Sequence, residues 1–215
     1  MSKLLLMVAA ASYLLGSIPF GYLLVRIFRG EDVRQSGSGN IGATNVSRKS
    51  PVLGLLTLLL DALKGTCAVF LANEVFMRTP PGNVDMSLYP SLSLIALCAI
   101  LGHMFPVWLR FRGGKGVATS VGAFALLVPR ATLGAFAIFV IVALGSRYVS
   151  LASITAAVSL PIFAWFSLRE RSSEGLLTLA PIAIASALVI VKHHENIRRL
   201  LAGTESRFGR KNVEP

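Results

Sequence analysis

The sequence predicts an all-α, polytopic integral membrane protein with seven transmembrane helices, an N-terminus outside and a C-terminus in the cytoplasm. First, 54% of its 215 residues are apolar and only 14% are charged, whereas soluble domains carry about 25% charged residues. Second, several apolar runs approach the roughly 20 residues that cross a bilayer. Third, Lys and Arg outnumber Asp and Glu by 21 to 10 and cluster at the ends of these runs. That placement is typical of membrane orientation and anionic head groups, and it argues against nucleic-acid binding.

Five apolar runs form the predicted framework. The first continues well past the small residues near Ala9. Because a signal-peptide core spans only about 7–15 residues, we expect this run to be retained as a membrane span. The third run is on the short side for a span. The five runs are residues 4–25, 52–77, 92–109, 148–168 and 176–191.

The apolar stretch 117–145 is interrupted by Pro129 and Arg130, and forms either one kinked helix or two short spans. With two spans, 15 basic residues lie inside and 5 outside; with one span the split is 10 to 9. The positive-inside rule therefore favours two spans and seven helices in total. In that topology the outside residues are Lys3, Arg78, Arg130, Arg169 and Arg171, and the inside residues are Arg26, Arg29, Arg34, Arg48, Lys49, Arg110, Arg112, Lys115, Arg147, Lys192, Arg198, Arg199, Arg207, Arg210 and Lys211.

Residues 1–215 are expected to form a single membrane-embedded domain, because no internal repeat or soluble segment is evident. Cys67 and Cys98 lie in apolar runs and are interpreted as small core residues. No Cys, His or carboxylate cluster has metal-ligand spacing, so neither a metal nor a cofactor is expected. Ser38 lacks the G-x-S-x-G context of a serine hydrolase, since Ser36 stands two residues before it.

The first polar segment, residues 31–48, alternates three glycines with small hydrogen-bonding side chains and ends in Arg48. Glycine lets backbone N–H groups turn towards a ligand and form an anion-binding nest, and arginine offers a fork suited to phosphate. The alternative is a flexible Gly/Ser linker. The glycines and polar residues are Gly37, Gly39, Gly42, Ser36, Ser38, Asn40, Thr44 and Asn45.

The second polar segment, residues 102–120, contains Arg112-Gly-Gly-Lys-Gly116 directly before an apolar run. It is expected to open a helix, whose N-terminus offers free N–H groups to a phosphate. It is not a Walker A loop, because Leu109 stands at the first glycine position. A basic turn that obeys the positive-inside rule explains the arginines but not the glycines.

The third segment, residues 192–205, continues the last span into a basic tail. On a helix, His193 and Asn196 share a face and could point into one pocket, although a solvated helix end is the simpler alternative. Asp61 and Lys64 lie inside an apolar run at i, i+3, so they either neutralise each other or line a site. His103, taken alone, is typical of a buried core histidine.

Together these segments resemble the three motifs of bacterial acyl-phosphate:glycerol-3-phosphate acyltransferases, in order along nearly the whole chain. The carrying residues are 37–48, 102–106 with 111–119, and 193–205, supported by 16–21 and 61–65. The resemblance implies that the 1-hydroxyl of sn-glycerol 3-phosphate attacks a long-chain acyl phosphate, giving lysophosphatidic acid and phosphate. It implies a multi-pass protein of the bacterial inner membrane whose site faces the cytoplasm. It also makes transient contact with a soluble acyl-phosphate-forming enzyme plausible.

The resemblance also assigns roles to residues. It implies that Ser38 and Arg48 act at the reacting centre, that His193 and Asn196 position groups or handle the proton, and that Glu205 is structural. Whether His193 or a substrate phosphate accepts the proton stays open. The substrate-binding residues it implies are Gly37, Gly39, Asn40, Gly42, Thr44, Asn45, Lys64, His103, Gly113, Gly114, Lys115, Gly116 and Ser120.

Two other functions are compatible with the composition. A transporter for a phosphorylated metabolite would fit seven short helices with cationic loops, but transporter sites usually lie near the midplane between repeated halves. A scaffold that binds anionic lipid through its basic tail leaves both glycine-rich segments unexplained.

Overall fold

The computed structural model describes residues 2–80, 87–169 and 172–208, with no side-chain detail for Ser172 and Ser173. Arg171, Arg210 and Lys211, which entered the charge count, lie outside the described residues. The described chain is helical and contains no β-strand. Its helices are α1 (Lys3–Gly16), α2 (Phe20–Arg29), α3 (Ala43–Lys49), α4 (Pro51–Met77), α5 (Leu88–Met104), α6 (Val117–Leu127), α7 (Pro129–Ser146), α8 (Val149–Leu168), α9 (Ser172–Lys192) and α10 (His194–Leu201).

Six segments of the described chain are long and apolar enough to cross a membrane. A seventh apolar helix, Val117–Leu127, is shorter. The all-α prediction is confirmed, while the count of seven spans and the positions of the termini stay predictions. The six segments are Lys3–Arg29, Pro51–Met77, Leu88–Leu109, Pro129–Ser146, Val149–Leu168 and Glu174–Lys192.

The first apolar run is two helices and not one, because the chain breaks between α1 and α2. Pro19 has no N–H to donate within a helix and disfavours helical backbone at Ile18. The Ser17 hydroxyl donates to the Tyr13 carbonyl at 2.8 Å, which helps to satisfy the end of α1. At the break the Ile18 carbonyl accepts hydrogen bonds from the Phe20 N–H at 3.1 Å and from Lys64 Nζ at 2.9 Å.

The stretch 117–145 also forms two helices, separated by Val128 (φ −135°, ψ 64°). Pro129 occupies the first turn of α7, where its missing N–H is tolerated. The Val128 N–H donates to the Phe124 carbonyl at 2.8 Å and closes α6. This division is the one that the charge count favoured over a single kinked helix.

Small residues let the helices around the site pack closely against one another. A Cβ on Gly65 of α4 would meet the Thr119 backbone of α6, and one on Gly122 of α6 would meet the Ala62 backbone of α4. Gly16 of α1 likewise faces the Ala99 backbone of α5. Close backbone contact through small residues is the usual means of packing helices in lipid.

The first polar segment folds back between α2 and α4. A Cβ on Gly21 would meet the Ile41 carbonyl and, at 3.0 Å, the Thr57 methyl group. Ile41 and Val46 are buried with Val25 and Leu53 in a small apolar cluster that is separate from the main core. The polar loop is therefore packed at the level of Thr57, one helical turn from Asp61.

Candidate active site

Asn45 organises the loop between Val33 and α3. Its Oδ1 accepts the Ser38 N–H at 2.9 Å. Its Nδ2 lies 2.9–3.1 Å from the carbonyl oxygens of Val33, Ser36 and Asn40. A buried amide with its oxygen and its amino group both occupied fixes the loop as a single structure. A flexible linker is therefore not what the first polar segment forms.

The backbone N–H groups that the predicted anion nest would offer to a phosphate are bound within the loop. The Gly39 N–H donates to the Ser36 carbonyl at 3.1 Å, and the Gly42 N–H donates to Asn40 Oδ1 at 2.8 Å. With the Ser38 N–H on Asn45, these backbone groups are used inside the loop and are not free for a phosphate. The left-handed backbone of Gly37 (φ 59°) and Gly39 (φ 68°) instead closes the turn around Asn45.

The glycines of the second segment pack against the end of α5. The Gly113 N–H donates to the Met104 carbonyl at 3.2 Å, and the Gly114 N–H donates to the His103 carbonyl at 3.0 Å. A Cβ on Gly114 would overlap the His103 imidazole. Both N–H groups are therefore bound within the protein, and the substrate-binding role implied for Gly113 and Gly114 stays a prediction. As predicted, Gly116 ends the loop and α6 begins at Val117.

His193 stands between α9 and α10, so the last span and the basic tail are not one continuous helix. Its Nδ1 lies 2.7 Å from the Val189 carbonyl. Because a carbonyl only accepts, Nδ1 carries the proton and Nε2 is the acceptor. His193 and Asn196 are both buried and both line one cavity. Of the two alternatives that the sequence left open, the structure shows the shared pocket, and a break between the helices brings the two side chains there.

Glu205 links α8 to α10. Its Oε1 accepts hydrogen bonds from Ser150 of α8 and from Asn196 Nδ2 of α10, each at 2.7 Å. Its Oε2 accepts from Arg199 Nε, also at 2.7 Å. These donors hold the pKa of the Glu205 carboxyl below its usual value, against a burial effect that raises it. Asn196 Oδ1, on its other side, accepts a hydrogen bond from Lys115 Nζ.

The Lys115–Asn196–Glu205 chain fixes the ammonium that faces the cavity. Burial lowers the pKa of Lys115 to about 8. Burial and the nearby Lys115 charge lower the pKa of His193 to about 4. At neutral pH the site therefore holds a charged lysine next to a neutral histidine, a pair suited to binding an anion and accepting a hydrogen bond from a hydroxyl.

The tail after α10 lines one side of the cavity. The Phe208 N–H donates to the Arg147 carbonyl at 2.8 Å, and Arg207 Nε donates to the Tyr148 hydroxyl at 3.0 Å. Ser206 accepts a hydrogen bond from Arg48 Nη2 at 2.7 Å. Of these residues the sequence had predicted only Arg48 as part of the site, and it had missed Tyr148, Ser206 and Phe208, together with Ser150. Arg199 and Arg207 had been counted only as topological charges, and Ser150 gave no signal.

All of these elements surround a cavity of about 520 Å³. The structure brings together the four predicted catalytic residues and most of the predicted binding residues. The predicted residues that line the cavity are Ser38, Asn40, Gly42, Thr44, Asn45, Arg48, His103, Lys115, Gly116, His193, Asn196 and Glu205. Those that do not line it are Gly37, Gly39, Lys64, Gly113, Gly114 and Ser120.

Asp61 also lines the cavity, next to His103. Lys64 Nζ lies 2.8 Å from Asp61 Oδ1, so the predicted intramembrane pair is present. The sequence had left open whether this pair is structural or lines a site. Asp61 both pairs with Lys64 and lines the cavity, whereas Lys64 does not line the cavity and donates to the Ile18 carbonyl.

Comparison with known proteins identifies the family. Residues 6–203 match the family described as glycerol-3-phosphate acyltransferase. The chain belongs to this family. A glycerol-3-phosphate acyltransferase of Syntrophotalea carbinolica is 46% identical over 92% of this chain and 94% of the relative. One of Geobacter sulfurreducens is 44% identical over 94% of this chain and 97% of the relative.

Two solved structures show the same fold. Both are crystal structures of PlsY (YgiH), an integral membrane glycerol 3-phosphate acyltransferase. The glycerol 3-phosphate form is 39% identical with a TM-score of 0.83, covering 95% of this chain and 96% of that one. The lysophosphatidic acid form is 38% identical with a TM-score of 0.80, covering 95% of each chain. With its apolar helices, this acyltransferase is an integral, multi-pass membrane protein, and the resemblance seen in the sequence is confirmed.

Proposed function

We propose that the protein transfers a long-chain acyl group from acyl phosphate to the 1-hydroxyl of sn-glycerol 3-phosphate, giving lysophosphatidic acid and inorganic phosphate. The supporting observation is a single cavity that combines two cations, Arg48 and Lys115, with a neutral histidine acceptor, His193. Two phosphate-bearing substrates require cations, and the attacking hydroxyl requires an acceptor. The similarity to structures of an acyltransferase in glycerol 3-phosphate and lysophosphatidic acid forms supports the acceptor and the product.

In this mechanism the acceptor oxygen forms a bond to the acyl carbonyl carbon, and the bond from that carbon to the phosphate oxygen breaks. His193 Nε2 accepts a hydrogen bond from the attacking hydroxyl. Because its low pKa makes the imidazole a weak base, the proton passes to the departing phosphate. Ser38 can donate to the developing oxyanion, and Arg48 and Lys115 stabilise the phosphates. Positioning supplies much of the rate acceleration, since the donor is already activated.

The acyl chain has a route to the bilayer between α4 and α7. Leu58 of α4 and Phe139 of α7 both line the cavity. Leu58 is 46% exposed. A chain lying between these residues would stay in the hydrocarbon while its phosphate lies beside the cations. This arrangement favours a donor carried by the membrane.

The charge distribution supports an orientation with the site on the cytoplasmic face of the inner membrane. The site cations Arg48, Lys115 and Arg199 all belong to the set that the positive-inside rule assigns to the cytoplasm in a seven-span topology. In this proposal the short helix α6 is the seventh span. A topology assay with single reporter fusions after α3 and after α7 tests the orientation, since both positions are expected on the cytoplasmic side, and a fusion after α7 found outside would contradict the seven-span topology.

The donor is tested by comparing acyl phosphate with acyl-CoA, using purified protein in detergent or lipid and labelled glycerol 3-phosphate. We expect lysophosphatidic acid from acyl phosphate and none from acyl-CoA. No product from acyl phosphate with a folded protein would refute the proposal. Uptake of labelled glycerol 3-phosphate into proteoliposomes, without any donor, would instead support the transporter alternative.

A further inference from the structure

A second polar group lies in the cavity apart from the cations. It consists of Asp61 on α4 and His103 at the end of α5, which both line the cavity and are only 3% and 4% exposed. His103 Nδ1 lies 3.5 Å from Asp61 Oδ1. Lys64 Nζ lies 2.8 Å from the same oxygen but outside the direction of a hydrogen bond. The mechanism above uses neither Asp61 nor His103.

Both side chains retain unused hydrogen-bonding capacity. Within the described part of the chain, Asp61 Oδ1 and His103 Nδ1 are buried and make no hydrogen bond. Leaving a buried polar atom without a hydrogen-bond partner is unfavourable, and more so for a charged group. Groups that are buried, lack a hydrogen-bond partner and lie next to a ligand cavity are well placed to bind a polar ligand group.

The chemistry of the pair selects the kind of ligand group. The Asp61 carboxylate repels a phosphate, and Lys64 is engaged with Asp61 and the Ile18 carbonyl. A ligand group for this pair must carry no negative charge and must form hydrogen bonds with both side chains. A hydroxyl does so, since it can donate to the Asp61 carboxylate and accept from, or donate to, the His103 imidazole. The proposed acceptor has two hydroxyls, of which only the primary one reacts.

We propose that Asp61 and His103 bind the secondary, 2-hydroxyl of glycerol 3-phosphate, and so select this acceptor over phosphates that lack it. The inference rests on the proposed function. The phosphate is held at Arg48 and Lys115, and the primary hydroxyl is directed to His193. The 2-hydroxyl then has its own partners on α4 and α5. A site built to bind a hydroxyl rejects the analogue without it, because its buried groups stay unpaired.

Lys64 has a supporting role in this arrangement. It compensates the Asp61 charge within the helix bundle, where an isolated carboxylate would be costly. Its side chain is 1% exposed and its ammonium is also held by the Ile18 carbonyl at the break between α1 and α2. It therefore fixes the carboxylate without entering the cavity, and it is a positioning residue for the hydroxyl site.

The test compares glycerol 3-phosphate with 3-hydroxypropyl phosphate, which keeps the phosphate and the primary hydroxyl and lacks the 2-hydroxyl. With acyl phosphate as donor, the wild-type kcat/KM should favour glycerol 3-phosphate by about ten- to hundredfold, the range for a hydrogen bond to a charged group. Asp61→Asn and His103→Asn should each reduce this preference to within about threefold of unity. They should lower kcat/KM for glycerol 3-phosphate much more than kcat/KM for 3-hydroxypropyl phosphate.

Two further variants control the measurement. Thr119→Val removes a buried hydroxyl that also has no partner but does not line the cavity, so the preference should stay at the wild-type value. If Asp61→Asn leaves Lys64 unpaired and the protein unfolds, Asp61→Asn with Lys64→Met removes both charges together.

The outcomes separate the two proposals. Equal losses for both acceptors, or an unchanged preference in the folded variants, would overturn the hydroxyl site while leaving the acyltransferase proposal intact. If the wild-type protein gives no product with acyl phosphate and either acceptor, the proposed function fails and the hydroxyl site fails with it. A selective loss for glycerol 3-phosphate alone supports the inference.

Discussion

Gly114→Ala distinguishes two physical explanations of the glycine-rich loop. The sequence alone predicts that a methyl group would obstruct a phosphate, so that KM for glycerol 3-phosphate rises. The structure predicts a different collision. The new Cβ would lie 2.6 Å from His103 Cε1 and 2.9 Å from Cδ2, far inside van der Waals contact. The ring or the loop must move, and Lys115 moves with the loop.

The magnitude follows from how tightly the ring is held. His103 is 4% exposed and lies against Asp61, so it has little room to turn away. Forcing an extra carbon into a well-packed site costs about 1–3 kcal/mol of stability. A shift of about 1 Å at Lys115 would lower the rate about a hundredfold. We therefore expect kcat to fall together with the unfolding midpoint in detergent.

A double-mutant cycle on stability isolates the collision. In a His103→Ala background the imidazole is absent, so Gly114→Ala should lose most of its cost, giving a coupling of about 1–2 kcal/mol. Gly113→Ala should not be rescued in the same background, because its Cβ would meet the His103 backbone carbonyl and the Pro106 ring. Gly145→Ala is the matched control, since a Cβ there meets nothing within 4 Å.

The structural explanation is refuted by either of two results. One is a Gly114→Ala protein with wild-type stability and kcat and a raised KM, which would restore the phosphate-crowding hypothesis. The other is a stability cost that is the same with and without the His103 ring. Activity is compared only within the His103-containing background, because His103 itself lines the cavity.

Three further predictions concern the charge network. Because the pKa of Lys115 is lowered to about 8, its ammonium is lost as pH rises through that value, and kcat/KM for glycerol 3-phosphate should fall above it. Lys115→Arg should remove this fall within about pH 7–9.5. In that range a phosphate monoester with its second pKa near 6 is already a dianion, so the substrate itself does not titrate. The low pKa of His193 keeps the imidazole neutral, so the pH profile of kcat should show no inflection between about pH 6 and 8. An inflection near pH 6.5, the ordinary pKa of histidine, would contradict a neutral His193. Glu205→Gln weakens hydrogen bonds from three donors, including Asn196 and Arg199, so kcat should fall about ten- to hundredfold. An unaltered kcat in purified protein would show that Glu205 does not position Asn196 for catalysis.

The helical framework was predictable because apolar length and charge asymmetry act locally. An apolar run must satisfy its backbone internally in lipid, so the spans could be read from composition. The break at Pro129 was predictable from the proline and the charge count together. The break at Pro19 was missed, since the apolar run continued through it. Pro19 opens α2 there, and the break exposes the Ile18 carbonyl to Lys64.

The sequence by itself determined the chemical inventory of the site: the cations, the two histidines, Asn196 and the absence of a hydrolase motif around Ser38. It could not assign each backbone N–H, because hydrogen-bond partners such as Met104 for Gly113 are tertiary contacts. Only the fold decided that the loop glycines pack against α5 and that the tail returns through Glu205 to Ser150. It also decided that Asp61 reaches the cavity. These outcomes depend on distances between segments far apart in the chain, which a local pattern of residues does not contain.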